Sequence, residues 1–68
     1  MENIRHIREE RGMSQRALAD RAGVVKSTIY EAEAGRHIPR IQTLEKIANA
    51  LGVEIADLLP SRKDSAGA

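Results

Sequence analysis

Residues 14–35 read Ser-Gln-Arg-Ala-Leu-Ala-Asp-Arg-Ala-Gly-Val-Val-Lys-Ser-Thr-Ile-Tyr-Glu-Ala-Glu-Ala-Gly, and the fold turns on this stretch. Ser14 is a favoured helix N-cap, although no Glu or Gln stands three residues later to complete a capping box. Leu18, Ala19 and Ala22 recur at the spacing of one helical face, and Gly23 is the residue type found just past helix ends. A second helix is expected over residues 26–34, closed by Gly35. On a wheel of roughly 100° per residue, Ile29, Ala32 and Glu33 gather on one side with Val25 nearby. Ser27, Glu31 and Ala34 fall opposite, Tyr30 lies beside them, and Lys26 projects from the leading end. Only Ala22, Gly23, Val24 and Val25 separate the two helices. So short a connection, with Gly inside it, sets them at a steep angle and leaves the second helix protruding. Thr28 with Glu31 mimics a capping box and is an alternative start, but it would leave fewer than two turns.

Working outward, a helix is expected over residues 3–10, with Ile4 and Ile7 on one face and Gly12 beyond its end. Another is expected over 41–50, where Ile41, Leu44, Ile47, Ala48 and Leu51 form an apolar stripe. A short helix over 54–59 is stopped by Pro60. The polar, small-residue stretch 60–68 reads as a disordered tail, so the domain is expected over 1–59. Neither hairpin dipeptides nor sustained alternation of apolar and polar residues occurs, so strands are not expected. The expected class is all-α, five short helices around a small core of Ala, Leu, Ile and Val.

Composition narrows the possible functions. The 68 residues hold 41% apolar and 31% charged side chains, too apolar for a disordered chain and too charged for a membrane one. Neither a spanning apolar run nor a signal-peptide stretch is read. Cysteine is absent, which removes disulfides, thiolate metal sites and Cys nucleophiles and suits a reducing cytoplasm. Tyr30 is the single aromatic residue, so stacking of single-stranded bases on several rings is excluded. A chain of this size buries only about 60% of its extended surface, which makes a partner subunit a reasonable expectation. Residues 1–40 carry 8 basic and 6 acidic side chains, whereas 41–59 carry 1 basic and 3 acidic. The mild basicity sits on the half that contains the protruding helix.

The ordered set Gly12-Met13-Ser14-Gln15, Leu18-Ala19, Ala22-Gly23-Val24, Ile29, Glu33-Ala34-Gly35-Arg36, Pro39 and Leu44 resembles the Cro/repressor-type helix-turn-helix family, also called XRE. Arg8 upstream and Ala50-Leu51-Gly52-Val53 with Asp57-Leu58-Leu59 downstream fit the same pattern, so the likeness spans residues 2–59. Ser-Gln-x-x-Leu-Ala alone is weak; the joint order and spacing carry the resemblance. It implies a compact, five-helix, lambda-repressor-like domain that binds double-stranded DNA, commonly as a symmetric homodimer on a palindromic operator, and regulates transcription. By the same resemblance the helix over 26–34 enters the major groove, with Lys26, Ser27 and Glu31 at the base-reading positions and Tyr30 placed with them as a candidate. Their chemistry suits that role: Lys26 can donate to guanine or to phosphate, Ser27 serves several bases, Glu31 accepts from cytosine, and Tyr30 can touch a thymine methyl or a phosphate. Gln15, Arg16, Arg36, His37 and Arg40 are then the phosphate contacts, which fix register without reading sequence. Arg8 and Glu33 match a semi-buried ion pair joining the first and third helices. Two departures stand out: Val25 and Arg40 replace the small polar caps frequent before the third and fourth helices.

Plainer readings stand beside these. Tyr30 can instead be a half-buried packing residue. Ile55, Leu58 and Leu59 can simply close the core, but three large aliphatics exceed one inner face of so short a helix. A dimer interface there is the other reading. His6 and His37 lack metal-ligand spacing, and Glu9-Glu10 point apart on a helix. Ser14 has no partnering base. No convergent titratable set implies an enzyme, and neither a metal nor a cofactor is expected. If these residues are the whole chain, regulation falls to concentration, dimerisation or a partner. The expected setting is cytoplasmic and nucleoid-associated. The rival function is a protein-interaction module, antitoxin-like or adaptor-like, built on the same fold.

Overall fold

The computed structural model describes residues 1–59, and the tail expected over 60–68 lies outside them. Five helices follow in order: α1 (Glu2–Glu10), α2 (Gln15–Ala22), α3 (Lys26–Ala34), α4 (Ile41–Leu51) and α5 (Ile55–Leu58). Among the described residues there is no strand. The fold is the expected all-α, lambda-repressor-like arrangement, with α2 packed on both α3 and α4 while α1 and α5 close the sides.

Each helix contributes one stripe to a single core. Ile4 comes from α1, Leu18, Ala19 and Ala22 from α2, Ile29 and Ala32 from α3, Leu44, Ile47, Ala48 and Leu51 from α4, and Leu58 from α5. Ile4, Leu18, Ile29, Ile47, Leu51 and Leu58 are the largest fully buried side chains. Each stabilises the fold by about 1.5–3 kcal/mol relative to exposure. Because aromatic bulk is absent from this core, Ala19, Ala32 and Ala48 let the backbones approach and fill what would otherwise be voids.

The helix ends have local causes. The Ser14 hydroxyl accepts a hydrogen bond from the Ala17 N–H at 3.0 Å, capping α2. At the other end Gly23 has φ 74° and ψ 33°, the left-handed region that a side chain disfavours. There the Val24 N–H closes onto the Ala19 carbonyl at 3.0 Å. This reversal is tight enough for α3 to start at Lys26, so the Thr28 start is not used. Val25 takes the N-cap position of α3 and Arg40 that of α4, both without a side-chain cap. Two long-range bonds staple the periphery: Arg11 Nε donates to the Leu51 carbonyl at 2.6 Å, and Asn3 Nδ2 to the Leu59 carbonyl at 2.8 Å.

Several expectations need correction. Leu58 is 0% exposed, so it belongs to the core and not to a dimer interface. The reason is the brevity of α5, a single turn whose last residue is drawn inward, with Ile55 and Leu59 only partly buried beside it. Ile41 is 58% exposed although it shares the apolar stripe of α4. The buried part of that stripe begins a turn later, at Leu44. Val25 is 66% exposed and not turned toward the inner side. It precedes the first helical residue, so the wheel does not fix its direction. The short helix is also trimmed: Glu54 and Leu59 are its caps, and the Asp57 carboxylate accepts from the Glu54 N–H at 3.0 Å.

Candidate nucleic-acid interface

The two flanks of α3 differ sharply. Ile29 and Ala32 are 0% exposed and fasten the helix to the core. Lys26, Ser27, Tyr30 and Glu31 are all exposed, bringing together a cation, a hydroxyl, a phenol and a carboxylate. Tyr30 stands 49% exposed, half-packed as well as outward-facing.

Glu33 is the exception on the inner flank, and a network of bonds explains it. Its side chain is only 4% exposed, and that of Arg8 is 10% exposed. Arg8 Nε donates to Glu33 Oε2 at 2.7 Å and the second guanidinium nitrogen donates to Oε1 at 3.2 Å. The remaining nitrogen donates to the Met13 carbonyl at 2.7 Å. Such a planar fork on a carboxylate is the strong form of the interaction. The hydrogen bond to Glu33 raises the Arg8 pKa above its ordinary value, outweighing the lowering by burial. α1, the α1–α2 turn and α3 are thereby locked in one geometry.

Gln15 joins this network: its Nε2 donates to Glu33 Oε1 at 3.0 Å. One amide hydrogen is thus committed within the protein, while the other and the carbonyl oxygen remain for an external group. The bond holds the carboxamide at the leading end of α2, where backbone N–H groups lack intrahelical acceptors and the helix dipole favours an anion. Arg16, Arg36, His37 and Arg40 are exposed. Arg36 follows the left-handed Gly35, and His37 and Arg40 occupy the connection from α3 to α4. Exposed Ile38 and Ile41, 66% and 58%, interrupt this basic stretch.

Sequence reasoning did not find the Gln15–Glu33 bond, which spans 18 positions and has no local signature. It also did not anticipate that Val25 stands open at the leading end of α3. The available signal was a large apolar residue where a polar cap is usual. Among the described residues no group of three or more His, Cys, Asp or Glu side chains is placed to hold a metal ion. No described helix is long and apolar enough to cross a membrane.

Comparison with known proteins agrees with this geometry. A helix-turn-helix family model matches residues 4–58. The cryptic phage CTXphi transcriptional repressor RstR of Vibrio cholerae is 41% identical over 56 residues, covering 82% of this chain and 50% of RstR. The chain therefore spans about half of that relative's length. An uncharacterized HTH-type transcriptional regulator of Methanothermobacter thermautotrophicus is 42% identical over 64 residues, 93% of each chain. Among solved structures, the SinR–SinI complex superposes with a TM-score of 0.82 at 35% identity, covering 96% of this chain and 66% of that one. The chain belongs to the helix-turn-helix family of Cro/repressor (XRE) type, which comprises DNA-binding regulators of transcription and not enzymes.

Proposed function

We propose that the chain is a sequence-specific, double-stranded DNA-binding transcriptional regulator whose working unit is residues 1–59. The observation that carries this reading is the outer flank of α3, with Lys26, Ser27, Tyr30 and Glu31 exposed on a helix whose opposite flank is locked by Ile29, Ala32 and Glu33. The major groove admits one α-helix and presents a distinct donor and acceptor pattern for each base pair. In this reading Lys26, Ser27, Tyr30 and Glu31 touch base edges. Gln15, Arg16, Arg36, His37 and Arg40 hold phosphates and set the register.

The chain acts as a homodimer on a palindromic operator, its two copies of α3 entering successive major grooves about 34–36 Å apart. Partly buried Ile55 and Leu59 remain as interface residues; Leu58 does not. The cytoplasm, on the nucleoid, is where such a protein works. Selection of bound duplexes from a random pool, with sedimentation of the free protein, tests the reading. The expected result is an inverted repeat with half-sites about 10–10.5 base pairs apart, centre to centre, and a dimer in solution. Failure to enrich any sequence refutes the DNA reading, and a monomer bound to a single half-site refutes the dimer.

A protein-interaction role is the second reading. It rests on Ile38 and Ile41, exposed by 66% and 58% close together in the chain. It also rests on the likeness to SinR, whose structure was solved in complex with SinI.

A further inference from the structure

An open groove of about 190 Å³ runs between α1, the start of α2 and α3, lined by Arg5, Arg8, Gln15, Tyr30, Glu33 and Ala34. The charges lining it are not equivalent. Glu33 and Arg8 satisfy one another through two hydrogen bonds, so that pair presents little net charge to the groove. Arg5 is different. Among the described residues its one ion pair is with Glu9, a single contact of 3.4 Å, with the two side chains 61% and 55% exposed. A pair so open to solvent is worth between nothing and about 1 kcal/mol and exchanges readily for a better anion. Arg5 is therefore the less committed cation of this groove, sharing its lining with Tyr30 and with the Gln15 carboxamide held by Glu33.

We propose that this groove is a phosphate subsite for duplex DNA, with Arg5 as its charged ligand and the Gln15 amide and Tyr30 hydroxyl as its uncharged ones. The inference rests on the DNA-binding reading and extends the contact surface onto α1, which that reading did not include. A groove several times the volume of one water, about 30 Å³, has room for a diester group. A guanidinium fork is well suited to phosphate oxygens. With α3 in the major groove, a phosphate in this groove would lie beside Tyr30 on the outer side of the recognition helix, on the path from Gln15. Tyr30 would then touch backbone as well as a base.

The test is the affinity of the full chain for its selected duplex and for a scrambled duplex, measured from about 50 to about 200 mM salt. Arg5→Ala should weaken both duplexes alike and lower the slope of log affinity against log salt by about 0.9. Equivalently, its deficit against wild type should shrink by about 3.5-fold across that range. Arg5→Lys should keep the slope while losing part of the affinity. Arg21→Ala, which removes another exposed cation, one that shares a different surface hollow with Gly52, should change neither, and Arg36→Ala should lower the slope. An unchanged slope in Arg5→Ala, with Arg36→Ala still lowering it, overturns the subsite and leaves the DNA reading intact. A loss confined to the selected duplex overturns it too, because a phosphate contact carries no sequence preference. If wild type binds neither duplex, the DNA reading fails and the subsite with it.

Discussion

Replacing Glu33 by Ala removes a carboxylate that accepts three hydrogen bonds, two from Arg8 and one from Gln15. The guanidinium is left in place with its Nε unpartnered and one terminal nitrogen reduced to a distant, 3.9 Å approach to Glu9, its side chain only 10% exposed. Breaking a buried pair in this way costs about 3–5 kcal/mol, because the surviving charge stays desolvated with only the Met13 carbonyl and the distant Glu9 to offset it. Protein stability runs at about 0.05–0.15 kcal/mol per residue, so 68 residues support about 3–10 kcal/mol in total. The single change therefore consumes about 30% or more of the stability, and at the lower bound all of it. Urea unfolding followed by far-ultraviolet circular dichroism measures this directly. Arg8→Met should be destabilising as well, by stranding the Glu33 carboxylate. The double variant Arg8→Met with Glu33→Leu should recover most of the loss, since apolar replacement of a whole buried pair is often neutral or better. A loss below about 1 kcal/mol for Glu33→Ala would refute the reasoning, because that is the range of pairs open to water. So would additive losses in the double variant.

Three further outcomes are expected. Val25→Ser supplies the side-chain cap that α3 lacks, at a position already 66% exposed, and should stabilise the fold by about 1 kcal/mol. A thermal midpoint raised by roughly 4–8 °C is the readout, and no rise counts against α3 starting at Lys26. Gly23→Ala meets no neighbour within 4 Å, so its cost of about 1–2 kcal/mol comes from the left-handed backbone alone and appears in the same melts. Lys26→Ala and Glu31→Ala should leave the melt within about 0.5 kcal/mol of wild type. Each should cost about 1–3 kcal/mol of affinity on the preferred duplex and relax choice at one base pair. Equal losses on all duplexes would make them backbone contacts.

The helices were legible where the chain punctuates itself. Ser14, Gly23 and Gly35 mark ends through preferences that act within a few residues, and α3 runs from Lys26 to Ala34 as read. The stripe Leu44, Ile47, Ala48, Leu51 was equally plain, because burial at i, i+3, i+4 and i+7 is written in the periodicity. Ile41 extends the same period and is nonetheless exposed, since periodicity gives a direction but not how far the neighbouring helices reach. Leu58 shows the converse: counting aliphatics on one turn says nothing of which one the core admits. Within the site, the polar character of Lys26, Ser27 and Glu31 was legible and so was the shared flank of Ser27 and Glu31. The triple use of the Glu33 carboxylate was not, because Arg8, Gln15 and Glu33 meet only after three helices have packed.

The contrast between the flanks of α3 also bears on how such a protein can diverge. Stability depends on Ile29, Ala32 and Glu33, while Lys26, Ser27 and Glu31 carry no core packing. Substitutions at those outward positions leave the scaffold nearly untouched, so a duplicated copy can drift to new target sites a residue at a time without passing through an unfolded ancestor. The same separation makes the domain a ready template for retargeting by design.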